Sequence, residues 1–294
     1  MLHSSLRPLR STVKRGFASK NARKTPVISN LQPGPSTRRS RLPLYVGGLL
    51  VYGASIYVGS AVYRVYYPNP SAETSSSNIC DLSAHRPEVY DEIASTYDTS
   101  ISLDETLMGL GWLRWNHIKD VSGDVLEVSA GTGRNLSYYD ADKVKSLTLV
   151  DQSSPMLDVA REKAARDTRW RKSGVQVQFK DVAVEGLSPN RDNYDVIVQT
   201  FGLCSVSNPV SYLSHLSKFC RSGGEIILLE HGRGTYGWIN RLLDNNVSKH
   251  AEKWGCFYNR DIQNIVESCP DVEIVSVQRW HFGTTSIYHL RPKH

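Results

Sequence analysis

The chain has 294 residues, 40% apolar and 22% charged, which is ordinary for a globular protein with room for one large domain and extensions. Its net charge of +6 misleads, because residues 1–72 hold eleven Arg or Lys and no acid, while the other 222 carry 24 basic against 29 acidic groups, net −5. An acidic body argues against RNA or DNA as partner, since phosphate neutralisation supplies most non-specific affinity.

Residues 1–41, rich in Arg, Lys and Ser and free of acids, have the composition of a mitochondrial transit peptide. Leu2, Leu6, Leu9, Val13 and Phe17 recur at helical spacing, with Arg7, Arg10, Lys14 and Arg15 on the remaining surface. Residues 42–63 then run 22 positions without a charge, about what a bilayer core requires, with Tyr45 and Tyr63 towards the two ends. A single transmembrane helix is expected there. Arg38, Arg39 and Arg41 precede it and only Arg64 follows closely, so the positive-inside rule places the catalytic domain in the intermembrane space. Protection of that domain from protease in mitoplasts would overturn this orientation. Residues 64–83, with Pro, Ser and Asn concentrated over 68–78, form a linker to a domain spanning 84–294.

Within that domain, strand-like and helix-like segments alternate, the pattern of a parallel α/β sheet. Strands are predicted at 125–128, 146–150, 175–179, 194–199 and 225–229, with helices at 155–166, 209–219 and 261–268. Segments 272–279 and 284–290 would close a seven-stranded sheet as a hairpin. The cysteines Cys80, Cys204, Cys220, Cys256 and Cys269 have neither C-x-x-C pairing nor a His at metal-ligand spacing. Free or buried thiols are expected and no metal site; a bridge such as Cys220–Cys269 stays open for a domain facing an oxidising space.

The chemistry begins at Val125-Leu126-Glu127-Val128-Ser129-Ala130-Gly131-Thr132-Gly133, an apolar strand ending in an acid and a small-residue turn expected to open a helix. Small residues let the backbone approach a ligand, and unpaired N–H groups at a helix start favour an anion. Ligand crevices of open parallel sheets lie at the strands' carboxyl ends, where this turn falls. NAD-binding folds share such a turn, but Leu136 stands where their pattern wants a third Gly or Ala, and Glu127 suits the ammonium of a methionine moiety. Strand two ends at Asp151, placed for ribose hydroxyls, and strand three at Asp181, placed for an adenine amino group. Three carboxylates are thus expected to converge on one nucleoside.

On these residues the segment 86–290 resembles the class I methyltransferases, in particular their methyltransferase-11 branch and the quinone-biosynthesis C-methyltransferases. The whole layout is similar to a fungal mitochondrial inner-membrane methyltransferase-like family. Tyr90 to Asp98 resembles the helix that covers the cofactor, Ser154-Pro155-Met156-Leu157 the start of the helix after strand two, and Leu228 to Gly232 the end of strand five. The resemblance implies a Rossmann-like seven-stranded methyltransferase sheet with helices on both faces. It also implies S-adenosylmethionine as cofactor, with contacts at Glu127, Ser129, Gly131, Gly133, Asp151, Gln152, Met156, Asp181, Val182 and Thr200. Ser129 departs from the pattern, standing where the commonest form has Gly; a positive φ there would cost on the order of 1 kcal/mol.

Methyl transfer needs alignment of nucleophile, methyl carbon and sulfur more than it needs a base. His231, just beyond strand five, is the candidate base, and a merely positional histidine is about as good a reading. Trp238, Trp254 and Phe257 are candidates to line an apolar pocket or simply to pack. No N-P-P-Y-type motif and no cytosine-methylating Cys arrangement is present, which leaves a small or lipophilic molecule or a protein side chain as acceptor. Two other readings remain open: a catalytically silent methyltransferase fold assisting assembly of inner-membrane respiratory complexes, and an NAD-dependent oxidoreductase.

Overall fold

The computed structural model describes residues 47–49, 51–53, 55–57, 59, 88–189 and 194–293. The predicted leader (1–41) and linker (64–83) lie outside the described residues, as does the rest of the predicted span 42–63. The described residues of that span are helical and exposed. Among the described residues no helix is long and apolar enough to cross a membrane.

From residue 88 onward three helices lead into the sheet: α1 (Glu88–Ile93), α2 (Tyr97–Leu107) and α3 (Leu110–Ile118). Then follow β1 (Gly123–Val128), β2 (Val144–Asp151), α4 (Ser154–Arg166), α5 (Thr168–Ser173), β3 (Gln176–Asp181) and β4 (Tyr194–Thr200). The chain continues through α6 (Pro209–Ser217), β5 (Cys220–His231), α7 (Gly237–Trp254), α8 (Ile262–Glu267), β6 (Val272–Trp280) and β7 (Thr285–Pro292). The strands form one sheet in the order β3-β2-β1-β4-β5-β7-β6. All neighbours are parallel except β7, which runs antiparallel to β5 and β6 and so closes the sheet with the expected hairpin.

Strands buried on both faces read as continuous apolar runs because alternate side chains meet different helices. Leu126 and Val128 of β1 join Ile197, Ile226 and Leu228 beneath Leu213 and Leu216 of α6 and Ile262 and Val266 of α8. Val125 instead joins Leu147, Leu149 and Val198 beneath Ile118 of α3 and Leu157 and Ala160 of α4. Helix α4 starts as its sequence dictates, with Ser153 as N-cap accepting from the Met156 N–H and Pro155 in the first turn.

Two features differ from expectation. The turn after β1 does not open an α-helix; it makes a single 3-10 turn, Arg134–Ser137. The Asn135 amide donates to Glu127 of β1, tying the turn down onto the strand's end instead of letting it rise into a helix. The other is the 18-residue α7, which buries Ile239, Val247 and Ala251. Four described cysteines are thiols, so no disulfide joins Cys220 to Cys269.

Candidate active site

The carboxyl ends of β1, β2, β3 and β4 open on one cleft, roofed by α1 and α2 through Tyr90 and Tyr97 and closed at one side by Arg114 of α3. It encloses about 990 Å³ of atom-free space, counting the part open to solvent, which suits a small-molecule site.

Glu127 lies at its floor, 1% exposed. Tyr139 OH donates to Oε2 at 2.7 Å and Asn135 Nδ2 to Oε1 at 3.1 Å. Burial pushes this carboxyl up to about 7, against the pull of those donors and of Arg114. A carboxylate oxygen accepts two hydrogen bonds, so each still has capacity for a ligand.

Asp151 stands at the end of β2, its Oδ2 accepting from the Gly131 N–H at 2.7 Å and its Oδ1 from the Ser153 N–H at 2.9 Å. Burial raises its pKa, opposed by those amides. Gly131 has φ +55°, and an added Cβ there would meet nothing within 4 Å, so its backbone faces open cleft. Gly133 serves differently: at φ +68° its Cβ would come within 2.9 Å of the Ala160 Cβ, so it lets the turn pack on α4 and does not line the cleft.

Ser129 lines the cleft at φ +50°, the left-handed conformation its sequence position raised as a cost. Its hydroxyl has only a 3.3 Å contact with Tyr212 OH. Ser129→Gly is expected to stabilise the protein by about 0.5–1 kcal/mol, since relief of the left-handed strain exceeds glycine's extra freedom in the unfolded chain. Chemical denaturation of both forms measures it; a loss of stability would show the Tyr212 contact to matter more.

Gln152, Met156, Val182 and Thr200 also line the cleft. Asp181 does not. It lies on the outer edge, paired with Arg161 and accepting from Ser154 Oγ at 2.8 Å, and the Ser154 hydroxyl together with Arg161 holds its carboxyl below the usual range. Two of the three expected acids therefore converge, and the third serves an edge ion pair because α4 carries Arg161 over the exposed strand β3.

His231 is not on the cleft wall either. Its ring lies 5.0 Å, centroid to centroid, from Phe201, and its Nε2 is 3.0 Å from the Cys256 sulfur. Phe201 lines the cleft and His231 lies behind it, outside the lining residues. Trp238, Trp254 and Phe257 do not line it; Trp238 is exposed and Phe257 packs with Val247 and Ala251 of α7.

Sequence reasoning missed the polar cluster beside Glu127. Arg114, 4% exposed, donates through Nη1 to Asn135 Oδ1 (2.8 Å) and Thr200 Oγ1 (2.9 Å) and through Nη2 to Glu105 Oε1 (2.8 Å). Arg134 joins the other oxygen of Glu105 at 2.6 Å and Asp98 at 3.0 Å, and Lys163 also pairs with Asp98. These bridges fasten α2 over the turn after β1 and over α4. The sequence signal was an Arg in the apolar helix α3, a charge that must find partners if buried. Arg114 Nε is buried with no partner, alone in this respect among the described side chains of the cleft wall.

Residues 108–268 match the family described as "Methyltransferase domain". The mitochondrial methyltransferase OMS1 of Saccharomyces cerevisiae is 39% identical over 207 residues, 67% of this chain but only 44% of that protein's length. A demethylmenaquinone methyltransferase of Clavibacter sepedonicus is 28% identical over 219 residues, 68% of this chain and 82% of the relative. Among solved structures, an S-adenosylmethionine-dependent methyltransferase of Leishmania major superposes with TM-score 0.53 at 15% identity, covering 70% of this chain and 81% of that one. At that identity the likeness speaks for the fold alone.

Proposed function

The chain belongs to the methyltransferase-domain family, and on that premise we propose that it transfers the methyl group of S-adenosylmethionine to a lipophilic acceptor at the mitochondrial inner membrane. One observation carries the cofactor assignment: Glu127, Asp151 and Arg114 line a single cleft together with the open backbone of Gly131. These groups complement the cofactor's parts. Glu127 accepts from the ammonium, Arg114 pairs with the carboxylate, Asp151 takes the ribose hydroxyls, and Met156 and Val182 offer apolar surface to the adenine. The cofactor supplies a methyl group already activated on a sulfonium. The protein's part is to align it and exclude water, which can lower the barrier by roughly 7–11 kcal/mol.

The same wall restricts the acceptor. Among its described residues are no His, Lys or Cys, and the phenols Tyr90 and Tyr97 are raised by burial, making them poor bases at neutral pH. An acceptor that arrives already nucleophilic, such as an enolate-like ring carbon or a free amine, fits this wall best. The Clavibacter relative is named for demethylmenaquinone, which offers a nucleophilic ring carbon in its reduced, quinol form.

The membrane assignment draws on the basic leader, the uncharged run 42–63 and the yeast relative's mitochondrial name. Exposed aromatic side chains at one end of the sheet support it further. Trp112 and Trp280 meet edge-to-face at 5.4 Å, and Phe282, 68% exposed, meets Tyr236 at 6.3 Å. His231 of β5 pairs with Thr285 of β7, so the 281–283 turn sits at the strand ends where the cleft opens. Such rings favour a membrane–water interface.

The test is to incubate the full chain with methyl-labelled S-adenosylmethionine and an inner-membrane extract. Label is expected in the organic phase. Label only in protein would move the acceptor to a side chain, and no transfer at all, with rescue of a deletion strain by Glu127→Gln, would favour the silent assembly role.

A further inference from the structure

Cys204, His231 and Cys256 come from three separate segments: the turn after β4, the last residue of β5 and the turn ending α7. Their sulfur and ring-nitrogen donors nonetheless lie within 4.8 Å of one another, a grouping of three metal-ligating side chains away from the cleft wall. Both cysteines are buried, Cys204 at 1% and Cys256 at 5% exposure.

Neighbouring hydrogen bonds hold the three segments in register. The Phe257 N–H donates to the Cys204 carbonyl at 3.1 Å, joining the two cysteine turns directly. Arg260 Nη1 donates to the carbonyls of Leu203 (2.8 Å) and Val206 (2.6 Å). Glu230, adjacent to His231 and fully buried, accepts through Oε1 from the N–H groups of Gly202 (3.1 Å) and Leu203 (3.2 Å). Its other oxygen, Oε2, is buried and has no partner.

Thiolate and imidazole are soft to borderline ligands, which select thiophilic ions over Mg²⁺ or Ca²⁺. A tetrahedral ion bound at about 2.3 Å to sulfur and 2.0–2.1 Å to nitrogen holds its donors roughly 3.5–3.8 Å apart. The observed spacing, 3.0 Å for His231 Nε2 to Cys256 Sγ and at most 4.8 Å overall, brackets that separation. Side-chain adjustments of up to about 1 Å bring the donors to that separation.

We propose that Cys204, His231 and Cys256 bind one thiophilic d¹⁰ ion, Zn(II) or Cu(I), and that this ion locks the turn after β4 and the end of α7 onto β5. Loading exchanges two thiol protons for the ion and leaves the imidazole neutral. None of its three ligands lines the cleft, although Phe201, 5.0 Å from the His231 ring, does.

The test uses the full chain in detergent, stripped with a chelator under reductant and then titrated in two arms. Co(II) probes the Zn(II) reading, and Cu(I) in competition with a chromophoric chelator probes the other. One ion per chain is expected in at least one arm, with two protons released and, for cobalt, thiolate charge-transfer and tetrahedral ligand-field bands. Cys204→Ser or Cys256→Ser should weaken binding by roughly 100-fold or more, beyond the usual effect of an outer partner. Cys269→Ser, outside the cluster, should change nothing. Fewer than about 0.1 ion per chain in both arms, or undiminished binding in the serine variants, overturns the proposal. So does recovery of Cys204 and Cys256 as a disulfide from cells, which would make them a redox pair. The wild-type cobalt spectrum reports the ligands by itself, so a serine variant that misfolds does not blunt the test.

Discussion

Glu127→Gln is expected to make the ligand-free protein more stable and its cofactor complex weaker. The buried carboxyl titrates at about 7 in the folded chain against 4.5 as its ordinary value. A carboxyl raised by folding costs nothing below pH 4.5, where both states are protonated. The cost then grows until about pH 7, where it reaches about 3 kcal/mol. Glutamine removes the charge but keeps the hydrogen bonds, because Tyr139 OH can turn to accept from the new amide while its oxygen still accepts from Asn135. The variant should therefore gain about 1–3 kcal/mol at pH 8 and nothing near pH 4.5. Cofactor affinity moves the other way. Losing the charge partner of an ammonium costs about 1.5–3 kcal/mol, or roughly 10- to 100-fold in Kd. The wild type should also bind more weakly as pH falls through 7, since protonation removes the same charge, while the variant's affinity stays flat. Denaturant titration and calorimetry across pH 5–8 read both arms. A variant that binds with wild-type affinity would remove Glu127 from the cofactor site.

The largest loss of stability is expected from Arg114→Met. The Arg114–Glu105 pair has side-chain exposures of only 4% and 10%, and breaking a buried pair typically costs 3–5 kcal/mol because the partner charge stays behind. The lower end applies, about 3 kcal/mol, since Arg134 still holds the other oxygen of Glu105. Asn135 Oδ1 loses its donor as well, while Thr200 Oγ1 keeps the one from Asn135 Nδ2. Adding Glu105→Leu should recover part of the loss, so the two substitutions should be far from additive in a double-mutant cycle. Additive losses would mean that the pair is already screened by water.

What the sequence made legible was whatever local periodicity encodes. The five parallel strands, the closing hairpin and the capped start of α4 follow from apolar runs and from Ser153 and Pro155. So does the convergence of Glu127 and Asp151, because strand ends in a parallel sheet share one edge. Asp181 sits at an equivalent strand end, yet α4 brings Arg161 beside it, a contact no spacing rule contains. The turn after β1 looked like a helix start because nothing local reveals that Asn135 reaches back to Glu127. Helix α7 went unread, its 18 residues burying only Ile239, Val247 and Ala251. The thiol–imidazole cluster was invisible for a plainer reason: its members lie 27 and 25 residues apart, and only the sheet brings them together.

The central claim is that one cleft binds a sulfonium nucleoside through Glu127 and Asp151 beside the Gly131 turn. A crystal structure of the full chain grown with excess S-adenosylhomocysteine tests it most directly. The account predicts the ribose hydroxyls on Asp151, the amino group on Glu127 and the carboxylate against Arg114. Density for the nucleoside elsewhere, or a cleft left filled only by solvent at saturating ligand, would contradict it.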